Sequence, residues 1–202
     1  MFVMCDEGLG VGIILDGRLY HGPNMSAGEF GQMVIADQGG PETHDRPGCL
    51  ESLVCNPAIW ERYARVTTGR SGAQSGDSAA RVKRICHRAM DGEAEAVETL
   101  EATARYLGIG LSTLIWGMNP EVIVLNATIN SAWQLVLPVV QAQFANSEQW
   151  PAFATVTLRP SILGDQAALI GATSLPFATI FRTADRDRSR LAGEAAAGAA
   201  VN

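Results

Sequence analysis

Residues 6–20 read Asp6-Glu7-Gly8-Leu9-Gly10-Val11-Gly12-Ile13-Ile14-Leu15-Asp16-Gly17-Arg18-Leu19-Tyr20. Glycine at 8, 10 and 12 makes a turn where backbone comes very close to something else. Val11 to Leu15 then supplies an apolar strand. Asp16-Gly17 is a two-residue hairpin signal, with Arg18-Leu19-Tyr20 as the returning strand. Ahead of the turn, Phe2 to Cys5 is a further short apolar run. The dinucleotide fingerprint fails here, because it needs Gly-x-Gly-x-x-Gly opening a helix and position 13 is Ile. No Gly-Lys-Ser/Thr occurs anywhere in the chain, which removes a Walker loop. On spacing alone, a tight strand-to-strand turn and a ligand-approaching loop stand equal.

Outward from this segment, helices take over. Asp37 to Gly48 is rich in Gly, Pro, His and charge and reads as an ordered loop or small lobe. Asn56 is a good N-cap with Pro57 at the first helical position and Ile59, Trp60 and Tyr63 behind it. Thr67 to Ser78 reads as a connector. Ala79 to Met90 carries Val82, Ile85, Ala89 and Met90 at helical spacing. From Glu93 to Met118 the pattern continues through Val97, Leu100, Ala104, Leu107, Leu111, Leu114 and Ile115, with the apolar second half expected at the centre of the core. Asn119-Pro120 ends that helix. Val122 to Leu125 is a fully buried strand of the parallel type. Ser131 is expected to cap a helix to about Asn146, Thr155 to Leu158 to form a last strand, and Asp165 to start a final helix through Leu175. Alternating strands and helices point to an α/β layer fold. The tail from Ala184 drops into Arg/Asp alternation and Ala/Gly repeats, a helix end fading into disorder.

Composition bounds the function. The chain has 202 residues, enough for one domain or two lobes, and 47% hydrophobic with 18% charged residues describes an ordinary globular protein. Fifteen basic against twenty-one acidic side chains leave a net charge of −6, a poor match to nucleic-acid phosphates or anionic lipid. Cys5, Cys49, Cys55 and Cys86 show no framework spacing, so a reduced, cytoplasmic compartment is expected. The start lacks the basic region and small-residue cleavage site of a signal peptide. The uncharged stretch from Val122 to Ser147 is interrupted by Asn, Gln, Thr and Pro, and reads as a strand and a core helix rather than a membrane span.

Two clusters carry candidate chemistry. Glu42, His44 and Cys49 fall close together in the Gly/Pro-rich loop, and zinc accepts His and Cys at such distances. A structural zinc site normally has four ligands, so the metal-free loop is the favoured reading. Glu29 lies in Ser26-Ala27-Gly28-Glu29-Phe30-Gly31-Gln32, and Glu51 follows Gly48-Cys49-Leu50. Carboxylates beside glycine turns suit bidentate hydrogen bonding to vicinal hydroxyls. Against that stands a plain capping role for Glu29.

Taken together, these pieces resemble the ROK family, named for repressors, open reading frames and sugar kinases. Glu7 to Tyr20 resembles its second phosphate motif and following hairpin. Ala27-Gly28-Glu29-Phe30-Gly31-Gln32 resembles its Ala-Gly-Glu-x-Gly-His element, and Gly48-Cys49-Leu50-Glu51 the end of its Cys-x-Cys-Gly-x-x-Gly-Cys-x-Glu motif. Asn119 to Leu125 and Leu163 to Ala172 resemble its late strand and last helix. The resemblance covers about residues 1 to 180 in order. It implies the C-terminal lobe of an actin-like ATPase (ribonuclease H-like) fold, a mixed sheet flanked by helices. The lobe would span 1–182 with a zinc-loop-like insertion at about 36–50, a flexible tail at 183–202, and the N-terminal lobe absent.

By the same resemblance, Glu29, Gln32 and Glu51 line the sugar side of a cleft. The family's Asp-x-Gly-x-Thr loop and its Asn-Asp pair, whose Asp deprotonates the sugar hydroxyl, are not found, and phosphoryl transfer then lacks its proton acceptor. Glu7, Gly8, Gly10 and Gly12 form a degenerate phosphate loop, with Glu7 in place of Thr. A carboxylate about 4 Å from a phosphate oxygen costs roughly 4 kcal/mol per charge pair at a surface-like dielectric. Asn126, Ala127 and Thr128 replace a Gly-Gly-Gly nucleotide contact, so no ATP is expected. Gln32 stands for the His zinc ligand and Glu42 and His44 for the first two Cys, leaving Cys49. That set is a poor zinc site, and His44 with Cys49 would hold the ion loosely at most. The resemblance implies no cofactor, a small-molecule sugar as ligand, and a homodimer or homotetramer. DNA would be reached only through a missing N-terminal helix-turn-helix, the Arg81-to-Arg88 face being a solvated basic surface. The leading expectation is a sugar-sensing and dimerisation module of a ROK-type transcriptional regulator. The alternatives are a glucokinase-like ROK kinase, whole or in part, and a pure assembly element.

Overall fold

A computed structural model describes residues 1–39, 45–70, 76–144, 150 and 155–177. The chain divides into two compact units, Met1–Ile162 and Leu163–Asn202. The first unit is built on a four-stranded mixed sheet of order β2-β1-β5-β6. Its centre is β1 (Phe2–Cys5), whose Val3 and Cys5 face the core while Met4 points away. β2 (Leu9–Gly12) returns antiparallel to β1 with Phe2 opposite Gly12. The expected strand over Val11 to Leu15 is therefore split. The ladder between β1 and β2 ends with Phe2 opposite Gly12, and the next residue, Ile13, is turned inward, 3% exposed. β3 (Ile14–Leu15) and β4 (Arg18–Leu19) then form a separate hairpin. Asp16 and Gly17 sit at φ 51° and 71°, the left-handed pair that the Asp-Gly signal requires.

Helices α1 (Leu50–Val54) and α2 (Asn56–Thr68) follow, broken from one another at Cys55. The extended Cys55, not Asn56, is the N-cap of α2, which puts Pro57 at the second helical position. Asn56 is drawn inward instead, 1% exposed, with its amide N–H donating to the Asp6 carbonyl at 2.7 Å. α3 (Ser78–Met90) is capped by Asp77, whose carboxylate accepts from the Ala80 N–H at 3.0 Å. Val82, Ile85 and Ala89 are buried as their spacing predicts, while Met90 is exposed.

α4 (Ala94–Met118) is the central helix. Leu100, Ala104, Leu107, Leu111, Leu114 and Ile115 are all fully buried, and Asn119 ends the helix at φ 42° just before Pro120. β5 (Val122–Ala127) lies parallel to both β1 and β6 (Thr157–Pro160). β6 begins two residues later than expected because its register starts where β5 does, Val122 opposite Thr157. Ser131 is not a cap. It lies in a 3-10 turn over Thr128–Ala132 and donates to the Thr128 carbonyl, and α5 starts at Trp133 and ends at Ala142.

In the second unit, Asp165 sits in a 3-10 turn over Gly164–Gln166, and residues 167–177 are helical. The tail and the loop residues Glu42 and His44 lie outside the described residues. Among the described residues, no helix is long and apolar enough to cross a membrane.

All four cysteines are free and buried. Cys5 and Cys55 lie with sulfurs 3.6 Å apart, and that hydrogen bond together with burial pushes the Cys55 thiol far up. Burial also raises Cys86, to about 11. Since thiolate is the reactive form, an aromatic disulfide reagent at pH 8 is expected to titrate less than about one thiol per native chain. All four are expected to react after denaturation. Rapid native reaction of two or more would contradict this packing.

Candidate functional site

The glycine turn is held from two sides by backbone contact. Val11 N–H donates to the Gly28 carbonyl at 3.0 Å, which lays the Ala27-to-Gln32 segment directly on β2. The approach is too close for any side chain. A Cβ at Gly28 would fall 2.0 Å from the Val11 carbonyl oxygen, and one at Gly31 would fall 2.6 Å from that of Leu9. Gly28 also sits at φ 103°, a backbone state that L residues rarely adopt. Of the two readings left open by spacing, the close approach is made by the chain itself.

Glu51 reaches the same place from α1. Its Oε2 accepts from the Leu9 N–H at 2.7 Å and lies 3.2 Å from the Cβ positions of both Gly8 and Gly31. A carboxylate fits there because neither glycine has a side chain. Glu51 and the segment carrying Glu29 and Gln32 are thus brought together around the turn. Glu29 is exposed and is the N-cap of a 3-10 turn over Phe30–Gln32, with its carbonyl, not its carboxylate, accepting from Gln32 N–H at 3.2 Å. Gln32 is half-buried. The exposed Glu29 carboxylate is open to a ligand, while one oxygen of Glu51 is committed to positioning the turn.

Glu7 points to the start of α3, where the buried Ser78 hydroxyl donates to its carboxylate. Next to it, Asp6 closes the end of β1 onto the end of β5. One Asp6 oxygen accepts from both the N–H and the hydroxyl of Thr128, at 3.1 and 2.9 Å. The Thr128 hydroxyl in turn accepts from the Asn56 side-chain amide at 3.1 Å. Asn126, on β5, is 4% exposed, and the Oδ1 atoms of Asn56 and Asn126 have no partner among the described residues. By sequence, Asp6 reads as the head of the glycine turn, Asn56 as a helix cap and Ser78 as the end of a connector, and none of them as part of this cluster.

The loop that would hold zinc folds back on itself. Ile35 and Ala36 N–H both donate to the Gly48 carbonyl, and Leu50 N–H donates to Met33. Cys49 is wholly buried, and its sulfur accepts from the Ser52 N–H at 3.4 Å as the cap of α1. No three metal-binding side chains come together among the described residues. Glu42 and His44, the other residues of that loop set, lie outside the described residues.

The ROK family profile matches residues 1–178. The N-acetylglucosamine repressor of Escherichia coli is 30% identical over 155 residues, covering 77% of this chain and 38% of the repressor. A glucokinase of Halalkalibacterium halodurans is 26% identical over 178 residues, covering 85% of this chain and 54% of the kinase. The crystal structure of a ROK family transcriptional regulator, a homologue of the E. coli Mlc protein, superposes with a TM-score of 0.67 at 29% identity. That match covers 79% of this chain and 40% of the regulator. The chain therefore spans well under two thirds of the length of these relatives.

Substitutions at two positions probe the turn. Glu51→Ala removes a charge-assisted bond to a backbone N–H and is expected to cost about 2 kcal/mol in urea unfolding, with Glu51→Gln recovering part of it. Gly28→Ala combines an overlap with backbone and an unfavourable φ, so it is expected to cost more than Glu51→Ala. Equal stability of Gly28→Ala and the parent would disprove the close approach.

Proposed function

The chain belongs to the ROK family, and from that premise we propose that it is the sugar-sensing and assembly lobe of a transcriptional regulator, with no phosphoryl transfer of its own. The observation that carries this reading is the fate of the phosphate turn. A nucleotide phosphate needs free N–H donors and no opposing charge. Here the Glu7 carboxylate projects from the turn to Ser78, and the Leu9 N–H is already taken by Glu51. Thr128, at the position of the family's small-residue nucleotide contact, is clasped to Asp6 and Asn56. The sites that would contact ATP are occupied by the chain's own side chains and carry the wrong charge.

The sugar side is different in character. Glu29 remains exposed, Gln32 keeps an amide that donates and accepts, and both sit on a segment fastened to β2. Glu29, Gln32 and Glu51 would accept from sugar hydroxyls, which are donors that carboxylates favour. The rest of the pocket and a DNA-binding helix-turn-helix would come from an N-terminal portion of the kind that the longer relatives have room for. Assembly into a homodimer or homotetramer and a cytoplasmic location complete the reading. Zinc has no part in it.

Calorimetric titration with a panel of hexoses and N-acetylhexosamines, beside a coupled assay with ATP and the same sugars, tests the proposal. Saturable heat with at least one sugar is expected, reduced tenfold or more in Glu29→Ala, and no ATP-dependent turnover. Identical heats for parent and variant with every sugar would leave only the assembly role, and turnover above background would favour the kinase.

A further inference from the structure

Away from the glycine turn, a cleft of about 180 Å³ is lined by Gly39, Leu53, Ala58, Glu61, Arg62, Arg65 and Tyr106. Its distinctive wall is Arg62 on α2. This guanidinium is half-buried and rigidly held: it donates to the Leu53 carbonyl at 2.8 Å and to the Thr103 hydroxyl. The Thr103 hydroxyl donates to the Thr99 carbonyl at 2.9 Å, and the guanidinium carbon lies 5.6 Å from the centre of the Tyr106 ring. Every one of these partners is neutral. No carboxylate pairs with Arg62 among the described residues.

A cation taken out of water is costly unless an opposite charge meets it. Desolvation lowers the Arg62 pKa, and Arg105 adds to that effect. Tyr106 and Glu61 act the other way. Glu61 is within the field of Arg62 but makes an ion pair with Arg65, one helical turn along. Among the described residues, the lining carries two guanidiniums against one carboxylate. A guanidinium has five N–H donors, and two neutral acceptors leave donors over for a ligand.

We propose that this cleft is a binding site for a small oxyanion, a phosphate or carboxylate group, seated on Arg62 with Arg65 at its mouth. The size argues for a small group. A water occupies about 30 Å³ of liquid, so the space admits an oxyanion with a few waters. Drug-sized ligands fill roughly 300–1,000 Å³. The anion arrives either free or as the acidic end of a larger metabolite whose remainder stays outside. The two arginines suit it because guanidinium donors pair in parallel with carboxylate and phosphate oxygens. This site shares no residue with the sugar-facing set, so its failure and the failure of the sugar reading are separable.

The test measures thermal unfolding of the 202-residue chain in rising inorganic phosphate, acetate and glycerol phosphate, with chloride holding ionic strength constant. A ligand that binds only the folded chain raises Tm along a saturation curve. Such a rise is expected with phosphate or acetate, and a curve saturating at lower concentration with glycerol phosphate than with inorganic phosphate assigns the site to the end of a larger molecule. Arg62→Met is expected to fold, since it replaces an unpaired buried charge by an apolar chain, and to lose the effect by tenfold or more in apparent affinity. No saturable rise above the chloride control overturns the proposal, as does an Arg62→Met curve that superimposes on the parent. Should that variant not fold, Arg65→Gln on the exposed rim serves instead: it is expected to weaken binding several-fold, and an unchanged curve refutes the site.

Discussion

At the carboxyl ends of β1 and β5, Asp6 accepts two hydrogen bonds from Thr128, and Thr128 accepts one from Asn56. Three separate stretches of chain meet there: the exit of the first strand, the exit of the central parallel strand, and the first turn of α2. Parallel strands expose their ends, and in open α/β sheets that is where ligands bind. In this chain the position is closed by polar side chains, and hydrogen bonds to an ionised carboxylate are the stronger kind, about 1.5–3 kcal/mol each. The clasp fixes where Glu7 emerges and how β2 begins, so the shape of the glycine turn follows from it.

From that point the rest of the arrangement is a matter of distance between backbones. β2 passes close enough to Gly28 and Gly31 that only hydrogen fits in the gap. That closeness carries Glu29 and Gln32 to the turn, and Glu51 joins them by bonding to Leu9. The outcome is a place rich in acceptors and poor in free donors. Under the proposed function, such a surface would discriminate between ligand types by charge, accepting polyols while polyphosphates meet carboxylates. Further along α2, Arg62 is anchored to neutral partners and lines a recess.

Local physics made much of this legible in advance. Asp16-Gly17 needed no tertiary help, because both residues tolerate left-handed backbone and the turn twists as strands do. The long apolar stripe of α4 was readable for a similar reason: Leu107, Leu111, Leu114 and Ile115 recur at helical spacing and are buried, while Ile109, Thr113 and Trp116 on the other face are exposed. Asn119-Pro120 ended it by backbone geometry. The family motifs around Gly8, Gly28 and Glu51 likewise named the residues that meet, in the right order along the chain.

Other features depended on partners distant in sequence. Nothing near Asn56 announced that Asp6 and Thr128 would take it from a helix cap into the core, and nothing near Ser131 that a 3-10 turn would precede α5. The end of β2 and the start of β6 were set by the residues opposite them, since a ladder runs only where its neighbour offers a donor and acceptor. Cys49 was readable as a metal ligand by type, yet its sulfur became a helix cap when its neighbours folded around it. Arg62 gave no signal at all, because an arginine in an amphipathic helix is ordinary until its surroundings exclude water. Residue types and their intervals determined the elements and the family; which polar groups pair, and which charge is left without one, was decided by long-range approach.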